Sequence, residues 1–205
     1  MPLGINTGDF LSLSGHFLNS GDFLSNGSAV GIKYCDVYTM SSEISHKIKN
    51  RANPNDIFIT PLKLSKYAID MIDYDNNDIW YDPFKNNGSY YNQYPIECEK
   101  KYSEILENKD FFDFNENITI ICSNPPYSIL DTVIEKSISL KPRIIQYLIG
   151  VNNLTARRIQ MFEKHNYGLV KIHLCKVFKW YGMSIIVQFE KDKESILTYD
   201  RIVWK

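Results

Sequence analysis

Short apolar runs alternate with amphipathic segments of about ten residues from Pro61 onward, and this alternation restricts the fold more than any other feature of the chain. The stretch "PLKLSKYAIDMI" reads as a helix with Pro61 at an early position, where a missing amide hydrogen costs nothing. "DIWYDPF" reads as a strand ending at an acid and a proline, and "ITIICSNPPY" as another strand. "SILDTVIEKSISL" follows as a helix, "RIIQYLIG" as a buried strand and "TARRIQMFEKH" as a helix. "GLVKIHLCKVFKWYGMSIIVQFEK" reads as two strands about a turn at Tyr181 and Gly182. Strands separated by helices imply βαβ units and a parallel sheet covered on both faces. The last two strands have too short a link for a crossover, so they pair antiparallel. The expected class is therefore α/β, a mostly parallel sheet ending in an antiparallel hairpin, with ligands beyond the carboxyl ends of the strands.

Residues 1–40 have a different texture. "GDFLSLSGHFLNSGDFLSNGS" repeats a unit of glycine, a polar residue and Phe-Leu, beginning at Gly8, Gly15 and Gly21. Glycine at that period breaks a helix and favours short strands joined by tight turns, so this arm is expected to be flexible or to serve self-association into a homo-oligomer. Residues 41–205 are expected to form a single domain with no separate recognition domain, opening on a helix capped by Ser41 or Ser42.

Composition narrows the partners. With Lys+Arg at 23 against Asp+Glu at 24, the net charge of -1 supplies no global attraction to nucleic acid. A polyanion would need a local patch, for which Lys141, Arg143, Arg157 and Arg158 are candidates. Cys35, Cys98, Cys122 and Cys175 show no CxxC spacing and are read as reduced thiols. His16, His46, His165 and His173 show no paired spacing, and no metal is expected. No charged-then-apolar leader opens the sequence and no apolar run approaches the ~20 residues that span a bilayer, so a cytoplasmic protein without membrane contact is expected.

The stretch "ICSNPPYS" carries the chemistry. Pro125 and Pro126 have fixed φ and no amide hydrogen, so they hold a loop open while the Pro125 carbonyl stays available as an acceptor. Asn124 adds a side-chain carbonyl and Tyr127 a flat aromatic face. Two convergent acceptors and a stacking surface suit an exocyclic amino group on a planar substrate, held with its nitrogen lone pair toward an electrophile.

Asn124-Pro125-Pro126-Tyr127 resembles the [DNS]-P-P-[YFW] motif of amino-group methyltransferases, and neighbouring pieces resemble the N6-adenine DNA methyltransferases. Phe58-Ile59-Thr60-Pro61 is similar to their F-x-T-P element, and Asp82-Pro83-Phe84 with Gly88 to D-P-F-x-G-x-G. The order of these elements resembles the γ arrangement, and the likeness, over about residues 50 to 205, is closest to small enzymes encoded by phages and large viruses. The resemblance implies a Rossmann-like S-adenosyl-L-methionine-dependent methyltransferase fold, DNA (duplex or single-stranded) as partner, and the host cytoplasm as location if virus-encoded. It implies catalysis by Asn124, Pro125, Pro126 and Tyr127. It also implies that Phe58, Thr60 and Pro61 border the methionine part of the cofactor, and that Asp82, Pro83, Phe84 and the backbone near Gly88 hold its amino and carboxylate groups.

An acid about 20 residues beyond Asp82 should hold the ribose; Glu99 and Glu104 both qualify by spacing, and Glu104 is preferred because it ends an extended stretch. Asp110 and Phe111 match the acid and aromatic beside the cofactor's adenine, and Phe178, Trp180 or Tyr181 the aromatic that stacks on an extruded base, a contact worth ~1–3 kcal/mol. One departure stands out. Asn86 occupies the place of the family's first loop glycine; asparagine tolerates the left-handed conformation needed there, although its Cβ approaches the cofactor. RNA or a glutamine amide as acceptor, and a non-catalytic binding module with a decayed cofactor loop, are the alternative readings.

Overall fold

The computed structural model describes residues 59–177 and 182–200. The arm of residues 1–40, the helix expected from Ser41, Phe58 and the aromatic trio Phe178, Trp180 and Tyr181 lie outside them. The described residues contain helices α1 (Leu62–Asp70), α2 (Leu130–Ser139) and α3 (Ala156–Glu163). The strands are β1 (Ile79–Asp82), β2 (Glu99–Tyr102), β3 (Ile120–Ser123), β4 (Ile144–Gly150), β5 (Tyr167–Cys175) and β6 (Ser184–Lys191). They form one six-stranded sheet in the order β2-β1-β3-β4-β6-β5. The first four run parallel, and β6 is antiparallel to both β4 and β5, which gives the expected terminal hairpin.

Period-two alternation splits the sheet into two apolar layers. On one face Tyr81, Ile121, Ile145, Tyr147, Val187 and Phe189 pack against α2 and α3. On the other, Trp80, Ile120, Cys122, Ile144, Leu148 and Ile186 pack against α1. Ile120, Ile121, Ile144 and Ile145 are essentially fully buried, each contributing ~1.5–3 kcal/mol relative to exposure. The helices follow from local chemistry. Pro61 precedes α1, and Ala68 and Ile69 face inward. In α2 Leu130, Val133, Ile134 and Ile138 recur at helical spacing on the buried side, and the helix stops at Lys141, left-handed at φ 55, before Pro142. In α3 the Thr155 side chain caps the first turn by accepting from the Arg158 amide at 3.3 Å.

The expected alternation is interrupted between β1 and β3. Residues 83–98 and 103–119 carry two short 3-10 turns, Tyr91–Gln93 and Ile105–Glu107, and no α-helix. The stretch "KNNGSYYNQYP" is rich in residues that favour turns over helix. Its length therefore goes into irregular chain above the carboxyl ends of the parallel strands. Cys98, Cys122 and Cys175 are free thiols. Among the described residues no helix is long and apolar enough to cross a membrane.

Candidate active site

The chain leaves β1, pairs β2 on one side of it and then crosses to place β3 on the other, so the strand order reverses about β1. Ligands of open α/β sheets bind at such a reversal. A cleft of about 440 Å³ opens there, within the size range of small-molecule sites. Its walls come from the loop after β1 (Pro83 to Tyr90), the turn after β2 (Glu104 to Leu106), the segment Asp110–Phe112 and the loop after β3 (Asn124, Pro126, Ile129), with Thr60 from the approach to α1.

The exit of β2 clamps the β1 loop. Ser103 N donates to the Asp82 carbonyl at 2.9 Å, Lys85 N donates to the Ser103 carbonyl at 3.0 Å, and Tyr81 and Ser103 share a hydroxyl contact at 2.6 Å. Asn86 is left-handed at φ 48, as its tolerance for that conformation allows, and its amide donates to Glu104 Oε2 at 2.6 Å. Glu104 Oε1 accepts from the Leu106 amide at 3.1 Å, so one carboxylate fixes two loops. Gly88 has φ 83, a conformation strained for any residue with a side chain, and a Cβ there would also displace the Asn92 side chain.

Asp82 lies beneath the cleft rather than in its lining. It is 1% exposed; Oδ1 accepts from Ser123 Oγ at 2.6 Å and from the Phe84 amide at 3.3 Å, while Oδ2 has no partner among the described residues. Burial pushes its carboxyl up to about 6 against the lowering effect of these bonds. At the carboxyl end of β3, Asn124 Nδ2 donates to Thr60 Oγ1 at 3.2 Å and Asn124 Oδ1 is buried without a partner among the described residues. Pro125 is buried, and Pro126 and Tyr127 are half-buried.

Of the residues singled out by sequence, Thr60, Pro83, Phe84, Glu104, Asp110, Phe111, Asn124 and Pro126 line this cleft. Asp82, Gly88, Pro61, Pro125 and Tyr127 border it without lining it. Glu99 opens β2 and so lies at the far end of the sheet. The cleft also includes Ser89, Tyr90, Ile105, Leu106, Phe112 and Ile129, which sequence reasoning missed. The exposed pair Ile105 and Leu106, directly after the preferred acid, was the available signal.

Among the cation candidates for phosphate contact, Arg143 and Lys141 require correction. Arg143 precedes β4, at the opposite end of the sheet from the cleft, and binds the buried Asp78 through Nε at 2.9 Å and Nη2. Lys141 lies beside it in the chain, at that same end. Arg157 and Arg158 both pair with Asp131, Arg158 Nε at 2.7 Å. Arg143 neutralises a buried carboxylate, a role that a reading of charge along the chain could not detect, whereas Arg157 and Arg158 share the one carboxylate of Asp131.

No protein-family model and no curated protein matches the sequence. Solved structures do match the fold. A candidate RNA methyltransferase from Pyrococcus horikoshii superposes with a TM-score of 0.54 at 13% identity, covering 75% of this chain and 98% of that one. Magnesium protoporphyrin IX methyltransferase from Synechocystis, solved with bound S-adenosylmethionine, gives 0.51 at 10% identity over 81% and 100%. This is a Rossmann-like methyltransferase fold. The E. cuniculi Mtq2-Trm112 complex, responsible for methylating the termination factor eRF1, shares the methyltransferase fold with a TM-score of 0.50 at 13% identity over 66% and 99%.

Proposed function

We propose that this chain is an S-adenosyl-L-methionine-dependent methyltransferase that methylates the N6 amino group of adenine in DNA. The observation that carries the reading is Asn124: its amide is tethered through Nδ2 to Thr60, and its carbonyl oxygen is buried in the cleft wall with no partner among the described residues. Buried acceptors are normally satisfied, so this atom calls for a donor from a ligand.

The cleft residues fit the cofactor. Phe84, Ile105, Leu106, Phe111 and Phe112 offer apolar faces to a flat ring, and Glu104 and Asp110 offer acceptors to hydroxyl and amino groups, each carboxylate keeping lone pairs beyond those used by backbone amides. When bound, S-adenosyl-L-methionine supplies a methyl group on a positively charged sulfur, already a strong electrophile. The protein supplies orientation. Asn124 Oδ1 and the Pro125 carbonyl accept the two amino hydrogens of the acceptor, aim its lone pair into the cleft and favour the positive charge that grows on the nitrogen. Tyr127 offers a stacking face, and extrusion of the base makes single-stranded or mismatched substrate cheaper to engage.

Asn86 adopts the left-handed geometry of the glycine it replaces and holds Glu104, which supports a working cofactor loop over a decayed one. RNA and glutamine amides present the same kind of amino group to Asn124. Transfer of labelled methyl to duplex DNA, single-stranded DNA, RNA and bulk protein separates them. N6-methyladenine in DNA, lost in Asn124→Ala while cofactor binding stays within a few-fold of wild type, is expected. Wild-type turnover in that variant would refute the assignment, and label in RNA or protein alone would move the acceptor.

A further inference from the structure

A second buried polar atom in the cleft wall has no hydrogen-bond partner among the described residues: the hydroxyl of Tyr90. Tyr90 is 4% exposed, and its ring packs into the layer that holds Trp80, Tyr94 and Ile120. Packing explains the ring. It does not explain the hydroxyl, since an unpaired buried O–H is destabilising and phenylalanine would avoid it. The neighbouring hydroxyls are all engaged: Thr60 with Asn124, Ser89 with Asn87 Oδ1 at 2.7 Å, and Tyr94 with the Cys122 carbonyl. Burial holds the Tyr90 phenol well above its ordinary value, so it stays a donor at working pH.

The strand order decides what kind of acceptor it awaits. Glu104 and Asp110, the two lining carboxylates, both come from the chain after β2, on the opposite side of β1 from β3, whereas the lining supplied by Thr60, the loop after β1 and the loop after β3 has none. Asp82, below that wall, is close enough for its charge to act on Tyr90. An α-amino acid group answers both features, with its carboxylate toward the phenol and its ammonium balancing Asp82.

We infer that the Tyr90 hydroxyl donates to the α-carboxylate of the cofactor's methionine part and so fixes that end of the ligand. The inference rests on the methyltransferase reading. Calorimetric titration of wild type and Tyr90→Phe with S-adenosylmethionine and with its decarboxylated analogue tests it. The free variant is expected to unfold at the wild-type temperature or higher, because only an unpaired hydroxyl is removed. Its affinity for S-adenosylmethionine should fall by about tenfold to a hundredfold, with affinity for the decarboxylated analogue unchanged. Equal losses for both ligands, or no loss for either, would overturn the role of Tyr90. A wild-type protein that binds neither ligand overturns the methyltransferase reading itself, before any substitution is made.

Discussion

Replacing Asp82 by asparagine should remove a pH dependence that the fold builds into its own stability. Burial raises the Asp82 carboxyl from 3.8 to about 6, a difference of about 3 kcal/mol between its protonation states. A carboxyl raised on folding holds its proton more tightly in the native state. Its contribution is therefore complete below the unfolded value and is lost as pH rises through the folded one. Between about pH 4.5 and about pH 8 the wild type should lose ~2 kcal/mol through this one group. In Asp82→Asn the side-chain oxygen can still accept from Ser123 and the Phe84 amide, while the new NH2 takes the place of Oδ2, which has no partner among the described residues. Urea unfolding of both proteins at the two pH values isolates the effect as a difference of differences. The variant should gain on the wild type by ~2 kcal/mol on going to the higher pH. A gap that stays constant across that interval would show that Asp82 is not held protonated by its surroundings.

Gly88→Ala places a Cβ against Asn92 at φ 83 and should destabilise the chain by about 1–3 kcal/mol in thermal or urea unfolding. Arg143→Ala should cost about 1–3 kcal/mol, because the buried Asp78 loses its charged partner while the Asp75 amide still donates to it and the half-exposed arginine is partly screened by water. Burial pushes the Asp78 carboxyl up, but the hydrogen bonds from Arg143, the Asp75 amide and Thr119 together outweigh it and hold the carboxyl below its ordinary value, so its contribution is present at neutral pH and lost as pH falls through the folded value. The penalty of Arg143→Ala should thus shrink in acid when urea unfolding is measured at neutral and acid pH; a penalty independent of pH would contradict the pairing.

What could be read from sequence was what repeats or constrains locally. β3 and β4 are largely apolar runs buried on both faces, α2 shows its buried stripe at helical spacing, and the two prolines after Asn124 mark a loop whatever surrounds them. β2 was legible only as an extended stretch, because Glu99-Lys100-Lys101-Tyr102 is an edge strand among the described residues, whose charges discourage further pairing and erase the apolar signal. Part of the cleft wall was hidden for a similar reason. Ser89, Tyr90, Leu106 and Phe112 become neighbours through irregular chain, which carries no period. Arg143 looked available because Asp78 stands 65 residues away.

The position of β4 has a consequence for how the protein is made. This strand lies between β3, which precedes it in the chain, and β6, which follows only after α3 and β5 have been made. "IIQYLIG" has no charge and no proline, the composition of segments that stack with copies of themselves when an edge is open. During synthesis β3 covers one edge at once, while the other stays exposed until Ser184–Lys191 leaves the ribosome. A stalled or clipped chain ending before β6 would keep the cleft-bearing strands yet present a sticky, half-paired sheet. Arrival of the final strand, far from the cleft in sequence, is what closes that edge.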